Sequence, residues 1–157
     1  MTNSLPTPDP RKFPFPPAVP IAALLLAWAL QKLHPLDIPW PAWTPYPAWL
    51  LATTPFLLAF WAAYTFRRHH TAVNPRGQST LIVSSGPYRF TRNPMYLSLM
   101  FVYLGLALLL HLAYALPLIV PVFLTFHFAI IRREEIYLTQ KFGSAYVEYT
   151  HQTRRWL

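Results

Sequence analysis

Residues 86–96, GPYRFTRNPMY, place two arginines and two tyrosines at the start of a long apolar stretch, and residues 132–135, RREE, follow directly on the next one. Guanidinium groups grip carboxylates bidentately, carboxylates accept from ammonium and hydroxyl donors, and aromatic faces take flat rings or attract cations. A site drawn from both clusters suits a ligand that carries opposite charges together with an aromatic or cationic portion. Arg92 and Glu135 are the candidates for direct action, with Tyr88, Tyr96 and Glu134 beside them. Adjacent helical residues point about 100° apart, so the two glutamates are expected to have different jobs. Ions inside a bilayer cost about 3 kcal/mol each on insertion scales, so charges gathered at the ends of apolar runs either orient a protein or hold something polar.

The apolar runs dominate the chain. Of 157 residues, 54% are hydrophobic, 17% aromatic and only 11% charged, a balance that excludes an ordinary soluble domain and predicts an integral membrane protein. The expected fold is all-α, with four transmembrane helices at about 18–33, 46–66, 95–114 and 115–131. Pro55 is expected to kink the second. The third and fourth form a C-terminal helical hairpin, with Pro117 and Pro121 at its turn and first helical turns, and residues 142–157 are read as an interfacial tail helix carrying Tyr146, Tyr149 and Trp156, with covering the bound ligand as the sharper alternative. Residues 1–17 read as a proline-rich flexible arm without a signal-peptide pattern, and 18–157 as one membrane domain whose ligand-binding segments are about 71–96 and 132–157.

Arg67, Arg68, Arg76, Arg89 and Arg92 lie between the second and third spans, and Arg132, Arg133, Lys141, Arg154 and Arg155 after the fourth. Basic segments stay in the cytoplasm, which puts both charged clusters on one face and both termini in the cytoplasm. These basic residues separate apolar runs and do not line one polar face with interleaved aromatics, so the net charge of +8 does not indicate nucleic-acid binding. No cysteine is present, which removes thiolate chemistry. The histidines His69, His70, His111 and His127 read as interfacial or hydrogen-bonded packing residues, and no metal is expected. The four glycines, Gly77, Gly86, Gly105 and Gly143, form no GxGxxG turn, so a nucleotide site of the Rossmann type is excluded.

The run TLIVSSGPYRFTRNPMYLSLMFVYLG, followed after a hairpin by RREEIYLTQKFGSAYVEY and a basic end, resembles the isoprenylcysteine carboxyl methyltransferase family and its phospholipid N-methyltransferase relatives. The resemblance covers residues 71–155, just over half of the chain. It implies an S-adenosylmethionine-dependent membrane enzyme. Gly86, Tyr88, Arg92, Pro94 and Tyr96 match its first block, Glu134 and Glu135 its paired glutamates, and Phe142, Gly143, Tyr146 and Tyr149 its last block. Asn93 departs, standing where many relatives have a titratable histidine.

S-adenosylmethionine carries a sulfonium, an ammonium, a carboxylate and an adenosine, which matches the chemistry of the two clusters. The expected binding set is Leu81, Val83, Gly86, Tyr88, Arg92, Asn93, Pro94, Tyr96, Glu134 and Glu135, with the backbone of 81–85 at the adenine edge. Arg92 would take the cofactor's carboxylate, a glutamate its ammonium or ribose hydroxyls, and the tyrosine faces its adenine or sulfonium. The reaction is a single in-line displacement on a small lipophilic acceptor entering from the lipid bilayer, an isoprenylcysteine-like carboxylate being the leading class. A phospholipid amine, which needs a base such as a glutamate, is the alternative. A non-enzymatic four-span scaffold is the competing class; on it Arg89 and Arg92 only orient the chain and Glu134 and Glu135 pair with Arg132, Arg133 or Lys141.

Overall fold

The computed structural model describes residues 15–68 and 81–157. His69, His70, Arg76, Gly77 and the remainder of 69–80 therefore lie outside the described residues, as does most of the proline-rich arm. Among the described residues the fold is helical and contains no strand.

The first helix, α1 (Ala18–Leu33), has the extent expected from its apolar run, and the final residues of the arm prepare it: the Ala18 amide donates to the Phe15 carbonyl at 2.9 Å. The second helix, α2 (Pro45–Arg68), runs through the buried Pro55. Just before it, the hydroxyls of Thr53 and Thr54 each donate to a carbonyl one turn back, at 2.7 and 2.6 Å, which satisfies those hydroxyls where hydrocarbon would offer no water. A short 3₁₀ turn, Gly86–Arg89, then leads into α3 (Pro94–Leu109), with Pro94 in the first helical turn where a missing amide costs least.

Helix α3 ends five residues before the expected limit at Tyr114. His111 adopts a left-handed conformation, φ 50°, its amide donating to the Leu108 carbonyl at 3.2 Å while the Leu112 amide donates to Ala107 at 2.9 Å. That pair of bonds is the Schellman stop, here built on a histidine where glycine is usual. The chain then turns into α4 (Ala115–Leu124), a π-helical turn (Thr125–Ile131) and α5 (Arg132–Phe142), which join into one helix, Ala115–Phe142. The helix of the fourth apolar run thus does not stop at 131, because Arg132–Phe142 has the helix-forming composition to continue it.

Helix α3 is the hub: α1, α2 and α4 all pack against it. Gly105 makes the tightest approach, since a Cβ there would stand 2.4 Å from the Ala52 backbone nitrogen. Ala48 and Ala52 are correspondingly buried, so small residues let α2 and α3 run backbone to backbone. The main core joins Ala27 of α1 to Tyr96, Tyr103, Phe126, Ile130 and Ile131, and the Tyr103 hydroxyl donates to the Ala115 carbonyl at 2.7 Å. Outward faces remain apolar: Trp49, Phe56, Leu57 and Phe60 are all exposed.

Among the described residues two helices are long and apolar enough to cross a membrane, Pro45–Arg68 and Ala115–Phe142. Helices α1 and α3, 16 residues each, reach only about 24 Å, short of a hydrocarbon core of about 30 Å. The chain breaks at Gly143, and α6 (Ser144–Gln152) folds back onto the protein, burying Tyr146 and Tyr149.

Candidate functional site

The hairpin of α3 and α4 returns the chain to the level at which α3 began, so residues 86–96 and the start of α5 face each other. Arg92 Nη1 lies 3.0 Å from Glu135 Oε1, and the Tyr96 hydroxyl donates to Glu134 Oε1 at 2.6 Å. The two glutamates thus have different partners. Neither takes Arg132, Arg133 or Lys141 as its ion-pair partner, so the helix-end pairing expected of an orienting cluster does not form among the described residues. Arg155 is Glu135's second cation, donating from Nε to Oε1 at 2.9 Å and from Nη2 to Oε2.

A cavity of about 530 Å³ opens between these clusters. Of the expected residues, Leu81, Val83, Tyr88, Arg92, Asn93, Pro94, Tyr96, Glu134 and Glu135 all line it. Gly86 does not. Its φ of 61° and its approach to α2, where a Cβ would stand 2.6 Å from Thr65 Oγ1, make it a backbone residue that seats the 3₁₀ turn against α2. Ser84 and Ser85 are likewise absent from the lining, whereas residues 81–83 belong to it. The other end of the cavity is apolar, with Phe15, Pro55, Phe56, Ala59, Leu99 and Val102 in its wall. Phe15–Pro17 belong to this wall, so the last residues of the expected flexible arm are built into the cavity.

Asn93, the departure from the resembled pattern, is 9% exposed, and its side-chain amide donates to the Arg155 carbonyl at 2.9 Å. Its position is spent on tying the tail to the site. Tyr88 packs edge-on to Phe66, with ring centroids 4.9 Å apart, and its carbonyl accepts from the Tyr149 hydroxyl at 2.7 Å. Burial, reinforced by Tyr149 and Glu134, drives the Tyr88 hydroxyl well above its ordinary value. Tyr146 is pushed up to about 12 by burial and the nearby Glu135, against the opposing pull of Arg92, and burial raises Tyr149 too. These phenols stay protonated at neutral pH and act as donors, not bases. The Glu135 bond holds Arg155 still more firmly in its charged form.

The residues that sequence reasoning left out of the binding set are Tyr146, Tyr149 and Arg155. Tyr146 and Tyr149 both line the cavity; their place in the last block of the resemblance and their spacing of three residues, which puts them on one helical face, were the available signals. His127 is a hydrogen-bonded packing residue, facing Arg155 and Trp156.

The cavity offers a cationic and an anionic group at one end, tyrosine rings along it and an apolar wall at the other. The Arg92 Nε is buried and has no hydrogen-bond partner among the described residues. An orphaned guanidinium nitrogen beside a carboxylate is a donor held ready for a polar ligand. S-adenosylmethionine meets this test, since its carboxylate, ammonium and adenosine each find a complementary group.

A family profile for phospholipid methyltransferases matches residues 43–145. The match takes in α2, which the resemblance had left outside, and both charged clusters, and it stops before Tyr146, Tyr149 and Arg155. Searches of curated proteins and of solved structures found no significant match. With about two thirds of its length matched, the chain belongs to the phospholipid methyltransferase family, a family of membrane methyltransferases.

Proposed function

We propose that the protein transfers a methyl group from S-adenosylmethionine to a lipophilic acceptor bearing a carboxylate of the isoprenylcysteine type, at the cytoplasmic face of a membrane it crosses four times. The observation that carries this reading is the single cavity joining Arg92, Glu134 and Glu135 to an apolar wall that includes Phe56, Leu99 and Val102. Charged and lipid-like portions of two reactants would meet there. When bound, S-adenosylmethionine supplies a methyl group activated by its sulfonium. The chain's own part is to bind, align and exclude water. Arg92 would hold the cofactor's carboxylate, Glu134 and Glu135 its ammonium or ribose hydroxyls, and Tyr88 and Tyr96 its adenine or sulfonium. A carboxylate acceptor needs no base, which suits a site whose tyrosines stay protonated.

Helices α1 and α3 would cross as shorter spans, with polar ends drawn toward the headgroups. The basic segments on either side of the α3–α4 hairpin favour a cytoplasmic site and cytoplasmic termini.

The family match favours a second reading, in which the acceptor is a phospholipid amine. Glu134, half-buried against Tyr96, would then accept the ammonium proton. Methyl incorporation into a prenylated cysteine analogue, compared with phosphatidylethanolamine vesicles, separates the two. Labelling of the analogue alone supports the carboxylate reading, and labelling of the vesicles alone replaces it. If the detergent-purified, folded protein binds no S-adenosylmethionine, both readings fail and a non-enzymatic scaffold is left.

A further inference from the structure

Residues 153–157, TRRWL, have the composition of an ordinary basic tail, yet they touch both halves of the site. Their main chain serves the Arg92 segment: the Arg92 amide donates to the Arg154 carbonyl at 2.9 Å, and the Arg155 carbonyl accepts from Asn93 Nδ2 at 2.9 Å and from Thr91 Oγ1 at 3.2 Å. The Arg155 side chain serves the other half, forking onto both oxygens of Glu135, with Nη1 2.8 Å from His127 Nε2. Trp156 anchors the segment. Its indole nitrogen lies 3.2 Å from His127 Nδ1, its ring 5.1 Å from that of Phe123, and it packs on the main core. A neutral imidazole has one acceptor nitrogen, so His127 accepts from one of these two donors at a time.

The two arginines on Glu135 are not equivalent. Arg155 engages both carboxylate oxygens and lies outside the large cavity. Arg92 reaches Glu135 through Nη1, lines the cavity, and keeps its Nε without a partner among the described residues. A bidentate fork is the stronger and geometrically more exacting bond.

We propose that Arg155 is a positioning residue: it holds the Glu135 carboxylate from behind, so that Arg92 can exchange Glu135 for an anionic group of the ligand without leaving that glutamate unpaired. The inference rests on reading the cavity as the cofactor site. Arg155 acts on binding although it does not line the cavity. Without it, Arg92 is Glu135's only cation, and ligand and glutamate compete for one guanidinium.

The test is calorimetric titration of S-adenosylmethionine into the detergent-purified full chain, for wild type, R155K, R155A, E135Q and R155A/E135Q, with the thermal midpoint of each. R155A should weaken binding about tenfold or more. R155K keeps the charge but loses the fork, and should weaken it about threefold to tenfold; it also decides the matter if R155A does not fold. Because Arg155 acts through Glu135, the double variant should bind no more weakly than E135Q alone. Wild-type affinity in R155K and R155A, or additive losses in the double variant, would overturn this inference alone. Absence of binding by the wild type would overturn it together with the cofactor reading.

Discussion

Tyr96 and Glu134, 38 residues apart in the chain, meet through a 2.6 Å hydrogen bond that ties the first turn of α3 to the first turn of α5. The Tyr96 ring also packs 5.4 Å from Phe126, so one residue joins the polar site to the apolar core. Tyr96→Phe keeps the ring and deletes the donor. Leaving a buried acceptor unsatisfied costs about 1–3 kcal/mol, and thermal unfolding in detergent should show that loss with the helix content unchanged.

Glu135 neutralises two guanidinium groups at once. Glu135→Gln preserves shape and removes the charge, setting Arg92 and Arg155 against each other. Removing one partner of a fully buried pair costs about 3–5 kcal/mol; with 15% exposure at Glu135, a loss of about 2–3 kcal/mol is expected. Cofactor affinity, read by calorimetry, should fall at least about tenfold, and Arg92→Ala should lower it comparably. Unchanged affinity in both would remove the charged cluster from the binding site.

Asn93→Asp exchanges the amide that donates to the Arg155 carbonyl for an oxygen that cannot donate. Asn93→Ala should cost about 1 kcal/mol, the net worth of one bond. The aspartate, nearly isosteric but facing a carbonyl with a negative charge, should be the worse of the two. An aspartate variant as stable as the alanine variant would show that the tail is not held through this residue.

Gly105 lies away from the charged cluster, at the waist between α2 and α3. Gly105→Ala drives a methyl group into the α2 backbone, and overpacking of this kind costs about 1–3 kcal/mol. The thermal midpoint should drop, while cofactor affinity in the folded fraction stays within about twofold of wild type. A midpoint at or above wild type would mean that the two helices separate freely.

Sequence periodicity and composition located the helices well where ends are marked by local chemistry. Helix α1 starts after Pro17 and ends at Leu33 as expected, and Pro94 marks the start of α3. The early stop of α3 was hidden because a histidine, not a glycine, takes the left-handed position. The run past residue 131 was hidden because a polar segment can continue an apolar helix without any local signal. Most of the binding set is lined up around one cavity, since a short hairpin must return its two ends to one level. Arg155 could not be read: its partner Glu135 is 20 residues away across the break at Gly143, and a basic residue near a chain end has many ordinary uses.

The π-helical turn at Thr125–Ile131 sets the phase of everything after it. The turn accommodates one residue more than an α-helical turn does, offsetting the downstream faces by about 100° relative to an unbroken α-helix. Loss of one residue between 125 and 131 would let the turn close to ordinary α geometry, shortening the helix by ~1.5 Å while Glu134 keeps facing Tyr96 and Glu135 both arginines. The turn is thus a slack link in the helix, one residue that can be taken up without scrambling the polar contacts downstream.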